Sequence, residues 1–246
     1  MTRSTRGQNL TQGVANSLGL AIVTGVYSGD NPIPNEGDLC LQYRASRSVV
    51  REAVKMLTAK GLLGSRPRLG TWIEPEGNWN LLDAEVLGWL LERKYSAALL
   101  IEFMELRLAV EPGAAALAAR TAGAEERAAI RQAIERMQAA DRGDDHPLDS
   151  DIAFHVAVLR ASRNRFYAQF TGFVATALSF SIRTTNHRKG VRLASVADHQ
   201  RVSDAIFAGR PAAAEAAMRT LIEEAIGLID KREAVQAPRL SAGERA

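Results

Sequence analysis

The sequence predicts a mainly α-helical protein in two parts: three helices and a basic hairpin, followed by an all-helical bundle. Three observations support this. Apolar residues recur at helical spacing over most of the 246 residues. Beyond about position 80 the chain is rich in Ala and Leu, both strong helix formers, while aromatic residues make up only 6% of the whole. The one stretch with strand character, between Leu62 and Ile73, sits between a helical pattern and a polar segment.

Each element has its own signal. Val14, Leu18, Ile22 and Val26 mark one stripe of a helix over Thr11–Val26. The run from Gly29 to Pro34 then breaks it, because proline lacks the backbone donor and clashes with the preceding turn. A short helix is expected around Glu36–Tyr43. Ser46 serves as N-cap of a third helix, which runs to about Lys60 and stops at Gly61. Leu62-Leu63 and Gly70-Thr71-Trp72-Ile73 flank Arg66-Pro67-Arg68, which reads as a hairpin with a cationic tip. Together these elements form a winged helix-turn-helix over residues 1–75. Residues 76–82, with Gly77, are expected to be a linker, 83–235 a helical domain, and 236–246 a disordered tail. Helices are expected near 83–94, 96–121, 124–140, 148–161, 164–186, 190–208 and 211–233.

Charge narrows the function classes. The net charge is only +3, yet residues 44–68 hold seven cations (Arg44, Arg47, Arg51, Lys55, Lys60, Arg66, Arg68) against Glu52 alone. A cationic face on a near-neutral protein points to a polyanion at that face. No run of 18 apolar residues occurs, so no membrane span is expected, and no apolar segment of signal type follows the polar N-terminus. The single cysteine, Cys40, excludes an intrachain disulfide, fits a cytoplasmic protein, and between Leu39 and Leu41 reads as a buried filler.

In a helix-turn-helix the second helix enters the major groove of double-stranded DNA. Its start here is Ser46-Arg47-Ser48-Val49-Val50-Arg51. Arg47 and Arg51, four apart, project from one face, and each can pair bidentately with guanine. Ser46 and Ser48 suit phosphate oxygens, and Val49 lies in the same contact segment. Arg66, Arg68 and Gly70 of the hairpin suit a phosphate or a minor groove. One such unit reads few base pairs, so a homodimer on an operator is expected.

In the helical part, Asp151 and His155 stand at i and i+4 on one helix face, a spacing that can share a metal ion. His199 is a third candidate among only four histidines. From spacing alone, these residues fit core or surface positions as well as ligands. Arg107, in an apolar helix, requires a charged partner. Either Glu111 one turn on or the carboxylate of a bound acid would serve. Arg183 and Asn186 are softer candidates for polar groups of a pocket. No general base or cofactor loop is evident, so an enzyme is not expected.

The first part resembles the GntR family of regulators. The matching residues are Pro34-x-Glu36-x-x-Leu39, Ser46-Arg47-Ser48-Val49-Val50-Arg51-Glu52-Ala53, Lys60-Gly61-Leu62-Leu63 and Gly70-Thr71, with Gly37 where the family commonly has a basic residue. The second part resembles the FCD ligand-sensing domain of that family's FadR-type branch. Its matching residues are Glu105-Leu106-Arg107, Glu111-Pro112, Asp151-x-x-Phe154-His155 and Asp198-His199. The resemblance implies a repressor released by a small organic acid. The acid would bind through Arg107 beside a divalent metal, with zinc favoured over nickel or manganese, held by Asp151, His155 and His199. The family's fourth ligand position carries Leu221 here. Asn78-Trp79-Asn80-Leu81-Leu82-Asp83 is similar to the branch that responds to sugar acids such as galactonate. The alternative is a helical domain that only dimerises, without metal or effector.

Overall fold

The computed structural model describes residues 3–66, 70–93, 97–186 and 195–236. The chain divides into two compact units, Met1–Tyr95 and Ser96–Ala246.

In the first unit, helix α1 (Arg3–Val23) packs against α3 (Arg47–Ala59), with α2 (Glu36–Tyr43) beside α3. Val14, Leu18 and Ile22 are buried as their spacing predicts. Val26 is not: α1 ends at Val23, and Val26 is exposed. Cys40 is only partly buried, so the expectation of a fully buried filler fails there, and its neighbour Leu41 is exposed while Leu39 is buried. Asn35 caps α2 through Asp38 N, and Ser46 caps α3 through Val49 N. Strands β1 (Leu63–Arg66) and β2 (Gly70–Ile73) pair antiparallel, with Leu63 opposite Ile73. Arg68 lies outside the described residues.

The segment expected to be a linker is instead sewn into this unit. A single 3-10 turn occupies Glu76–Asn78. Asn80 N donates to Lys60 O, Glu74 N donates to Leu62 O, and Trp79 Nε1 donates to Glu74 O. Gly61 has a left-handed φ of +79°, and any Cβ there would meet Asn78 O at 2.2 Å, so only glycine fits. Helix α4 (Ala84–Arg93) then packs on α1, where Trp89 lies over Gly19 so closely that a Cβ would sit 2.5 Å from the ring. Lys60, 14% exposed, ties α3 to the start of α4 through Asp83 (2.6 Å) and Glu85 (2.8 Å). The expected boundary near 76–82 therefore moves to Tyr95/Ser96, because α4 buries its apolar face in the first unit.

The second unit contains α5 (Ala97–Thr121), α6 (Ala124–Arg142), α7 (Pro147–Ala161), α8 (Arg165–Asn186), α9 (Val196–Phe207) and α10 (Pro211–Gln236). Pro112 sits inside α5 without ending it. Helix α10 lies along α5, α7 packs against α5, α6 and α8, and α9 packs against α5, α6 and α10. The core is built from small and aliphatic side chains such as Ala115, Ile130, Leu159 and Ile206, which let these helices approach closely. Among the described residues no helix is long and apolar enough to cross a membrane. The tail expected at 236–246 lies outside the described residues from 237 onward.

Candidate functional site

The first candidate surface lies on α3 and the hairpin. Val50, Ala53 and Leu57 anchor α3 to the core and turn its opposite face outward. On that face the side chains of Arg47 and Arg51 are 77% and 63% exposed. Arg51 Nε donates to Glu36 Oε2 at 2.7 Å, and Arg47 Nε lies 4.0 Å from Glu36 Oε1. The Glu36 carboxyl is held below its ordinary range chiefly by the Arg51 hydrogen bond. Ser46 and Ser48 are exposed, with their hydroxyls 2.9 Å apart. Val49 is half-buried and packs toward Val14, Ala15 and Ala53, so less of it faces outward than its place in the motif suggests. Arg66 is exposed, with its guanidinium 5.9 Å from the Trp72 ring centre, and Gly70 is exposed at the start of β2. A groove of about 530 Å³ runs between α2, α3 and the hairpin, with Arg51 and Lys55 among its lining residues.

The second candidate is a buried polar cluster built by α5, α7 and α9. Arg107, Glu111, Asp151, His155 and His199 are each between 1% and 4% exposed. Arg107 Nε donates to Glu111 Oε1 at 2.5 Å, so the partner foreseen one turn along the helix is present. Glu111 Oε2 lies 2.5 Å from His155 Nδ1, a contact the sequence reading missed. A carboxylate only accepts, so Nδ1 carries a proton, and Nε2 is the ring nitrogen left for a metal. Arg107 Nη2 lies 3.1 Å from both ring nitrogens of His155, and the guanidinium therefore borders the cluster. Burial pushes the Glu111 carboxyl upward, but Arg107 and His155 more than reverse this and bring it to about 2. Asp151 is likewise lowered: burial opposes its ionisation, and His199, His155 and Arg107 outweigh that effect.

His199 follows the same logic. Its Nδ1 lies 2.9 Å from the carbonyl oxygen of Ser195, which only accepts, so Nδ1 carries a proton. Its Nε2 lies 3.1 Å from Asp151 Oδ1, at ion-pair distance but outside good hydrogen-bond geometry. One ligand atom from each of Asp151, His155 and His199 falls within 4.8 Å of the other two. In neutral imidazoles the free ring nitrogens and the Asp151 carboxylate all present lone pairs to one small buried space, which a cation between them would reconcile, so this donor set fits a divalent metal. Two imidazole nitrogens and one carboxylate oxygen suit zinc, nickel or manganese, with positions left open for further ligands. Leu221, on α10, is half-buried and contributes no donor. Arg183 and Asn186 belong to α8, but their side chains lie outside what the structure describes.

A helix-turn-helix with an exposed arginine pair and a wing, joined to a separate helical unit, defines a DNA-binding transcription regulator. The family model for bacterial regulatory proteins of the gntR family matches residues 10–73, and that for the FCD domain matches residues 102–224. The chain belongs to the GntR family and carries an FCD domain. It is 32% identical over 216 residues to the galactonate operon transcriptional repressor of Escherichia coli (strain K12), covering 87% of this chain and 94% of that one. It is 35% identical over 165 residues to the HTH-type transcriptional regulator YieP of the same organism, covering 66% and 72%. These relatives are regulators, not enzymes. The fold is shared with the solved structure of Lar, which controls expression of the Listeria monocytogenes agr system (TM-score 0.59, 17% identity, covering 90% of this chain and 96% of that one).

Proposed function

We propose that the protein is a repressor that binds its operator as a homodimer and leaves it when a small organic acid enters the helical unit. Arg47 and Arg51 read base edges in the major groove, Ser46 and Ser48 hold phosphates, and Arg66, Arg68 and Gly70 bring the wing to the backbone. Val49 packs the start of the reading helix against the core. The observation that carries the sensing half is the buried convergence of Asp151, His155 and His199, whose ligand atoms all lie within 4.8 Å of one another. These three residues would hold a divalent metal, zinc first, which supplies a Lewis-acidic anchor for an effector oxygen. Glu111 fixes the His155 tautomer and orients Arg107, whose remaining donors suit a carboxylate. Arg183 and Asn186 are assigned to the same pocket as polar contacts.

The relation to a galactonate operon repressor supports a sugar acid as the effector class. The test combines metal analysis of the purified protein with a thermal-shift screen of organic acids, with and without added zinc, and release of operator DNA as the readout. The proposal expects a zinc-dependent response to a sugar acid and release of the DNA. A protein that takes up no metal and responds to no acid would make the helical unit a pairing module only.

A further inference from the structure

Among the described residues, two buried side-chain polar atoms lie outside good hydrogen-bond geometry: His199 Nε2, which faces Asp151 Oδ1 at 3.1 Å, and Ser203 Oγ, which has no partner. They belong to one helix, α9, four residues apart, and so lie on one face a single turn from each other. Ser203 is 1% exposed. Its lack of a partner is unusual within this unit. Ser150 and Ser179 are also helical and Ser162 caps α7, and each donates to the carbonyl three residues back, at 2.9, 2.7 and 2.6 Å respectively. Such a local bond is the ordinary way for a helix to satisfy a hydroxyl, and Ser203 does not make it. A buried hydroxyl that no protein group pairs is costly to keep, and a group of that kind calls for an explanation by ligand or function.

We propose that Ser203 is a ligand-contacting residue of the sensor site, whose hydroxyl pairs with a hydroxyl of the bound acid. The inference rests on the effector reading given above and makes it more specific. Arg107 and a metal both favour a carboxylate and do not distinguish one carboxylic acid from another. A neutral hydroxyl that can donate and accept is the complement of another hydroxyl. Placed one turn along α9 from His199, it selects hydroxylated acids over plain ones. A site built to pair a hydroxyl rejects the analogue that lacks it, because its own polar group is then left unpaired.

The test uses the full chain loaded with zinc and matched acids: galactonate against hexanoate, and lactate against propionate. Calorimetry gives affinities for wild type, Ser203→Ala and Ser203→Thr. In wild type the hydroxylated member of a pair binds more tightly. Ser203→Ala is expected to lose about three- to tenfold for that member and nothing for the plain acid, while Ser203→Thr retains the preference. Zinc affinity stays constant across the variants, and without acid Ser203→Ala melts no lower than wild type. If Ser203→Ala binds both members as wild type does, or if it weakens zinc itself, the assignment of Ser203 is wrong and the effector reading survives. If wild type takes up zinc and responds to none of the acids, the effector reading fails and the Ser203 proposal fails with it.

Discussion

The two units handle charge in opposite ways. In the first, Arg47 and Arg51 stand on an exposed helix face, braced by one carboxylate from the neighbouring helix. In the second, a guanidinium, two carboxylates and two imidazoles are packed together at no more than 4% exposure. An exposed cation loses little hydration on folding, so its position is constrained by the partner it meets and hardly by the fold. A buried charge must be matched on the spot, and each member of the cluster therefore depends on the others. The reading surface should tolerate substitution structurally and fail in binding, whereas the buried cluster should fail in stability first.

The sharpest way to break that contrast is Glu111→Leu. It strands Arg107 and the His155 Nδ1–H in an apolar interior, and a loss of about 3–5 kcal/mol is expected from urea denaturation. The double variant Arg107→Met/Glu111→Leu removes the opposing charge and should recover most of that loss. If the single variant were as stable as wild type, the cluster would be as solvated as the arginines of α3, and the comparison would collapse. Next comes His199→Ala, which takes one of three donors from the proposed metal set. Zinc affinity measured with a competing chelator should fall by more than the roughly 10–100-fold cost of losing a ligand's supporting hydrogen bond. Smaller still is Arg47→Ala. Operator binding in a gel shift should lose about 1–3 kcal/mol of discrimination, while stability stays within about 0.5 kcal/mol of wild type.

The same contrast governs what the sequence made legible. Features of the first unit are local: Ser46 as a cap, Gly61 as a stop, and the i, i+4 arginines all lie within one element and its edges. The helices of the second unit were legible for the same reason, through apolar period and Gly/Pro punctuation. Its site was only half legible. Asp151 and His155 share a helix, but His199 and Glu111 reach them from α9 and α5, and no spacing rule joins residues that far apart. Scarcity of histidine made His199 a candidate and the family resemblance joined it to the other two; nothing brought in the Glu111–His155 contact or Ser203. The misplaced boundary has a similar cause. The apolar face of α4, with Val86, Leu87, Trp89 and Leu90, looks the same whichever unit it packs on, and its partner Gly19 carries no apolar signal.

The smallest expected effect tests that relocated boundary. Lys60 and Asp83 are intermediate between the two regimes, with side chains 14% and 24% exposed. Burial pushes the Asp83 carboxyl up, but Lys60 and the backbone donors of Val86 and Glu85 bring it below its ordinary 3.8. Burial likewise lowers Lys60, and Asp83 and Glu85 more than restore it. A depressed carboxyl contributes stability that is fully present above its unfolded value and is lost as pH falls through the folded one. Asp83→Asn keeps an oxygen to accept from Glu85 N and Val86 N at the start of α4, and so removes the ion pair alone. At pH 7 the variant should cost about 1 kcal/mol, the upper end for partly exposed pairs, or roughly 4–8 °C in the melting of the first unit. The difference should shrink as pH falls below about 3.8 and Asp83 takes up its proton. A difference of equal size at pH 3 and pH 7 would mean that the loss does not come from the Lys60–Asp83 ion pair, with Lys60 a bystander.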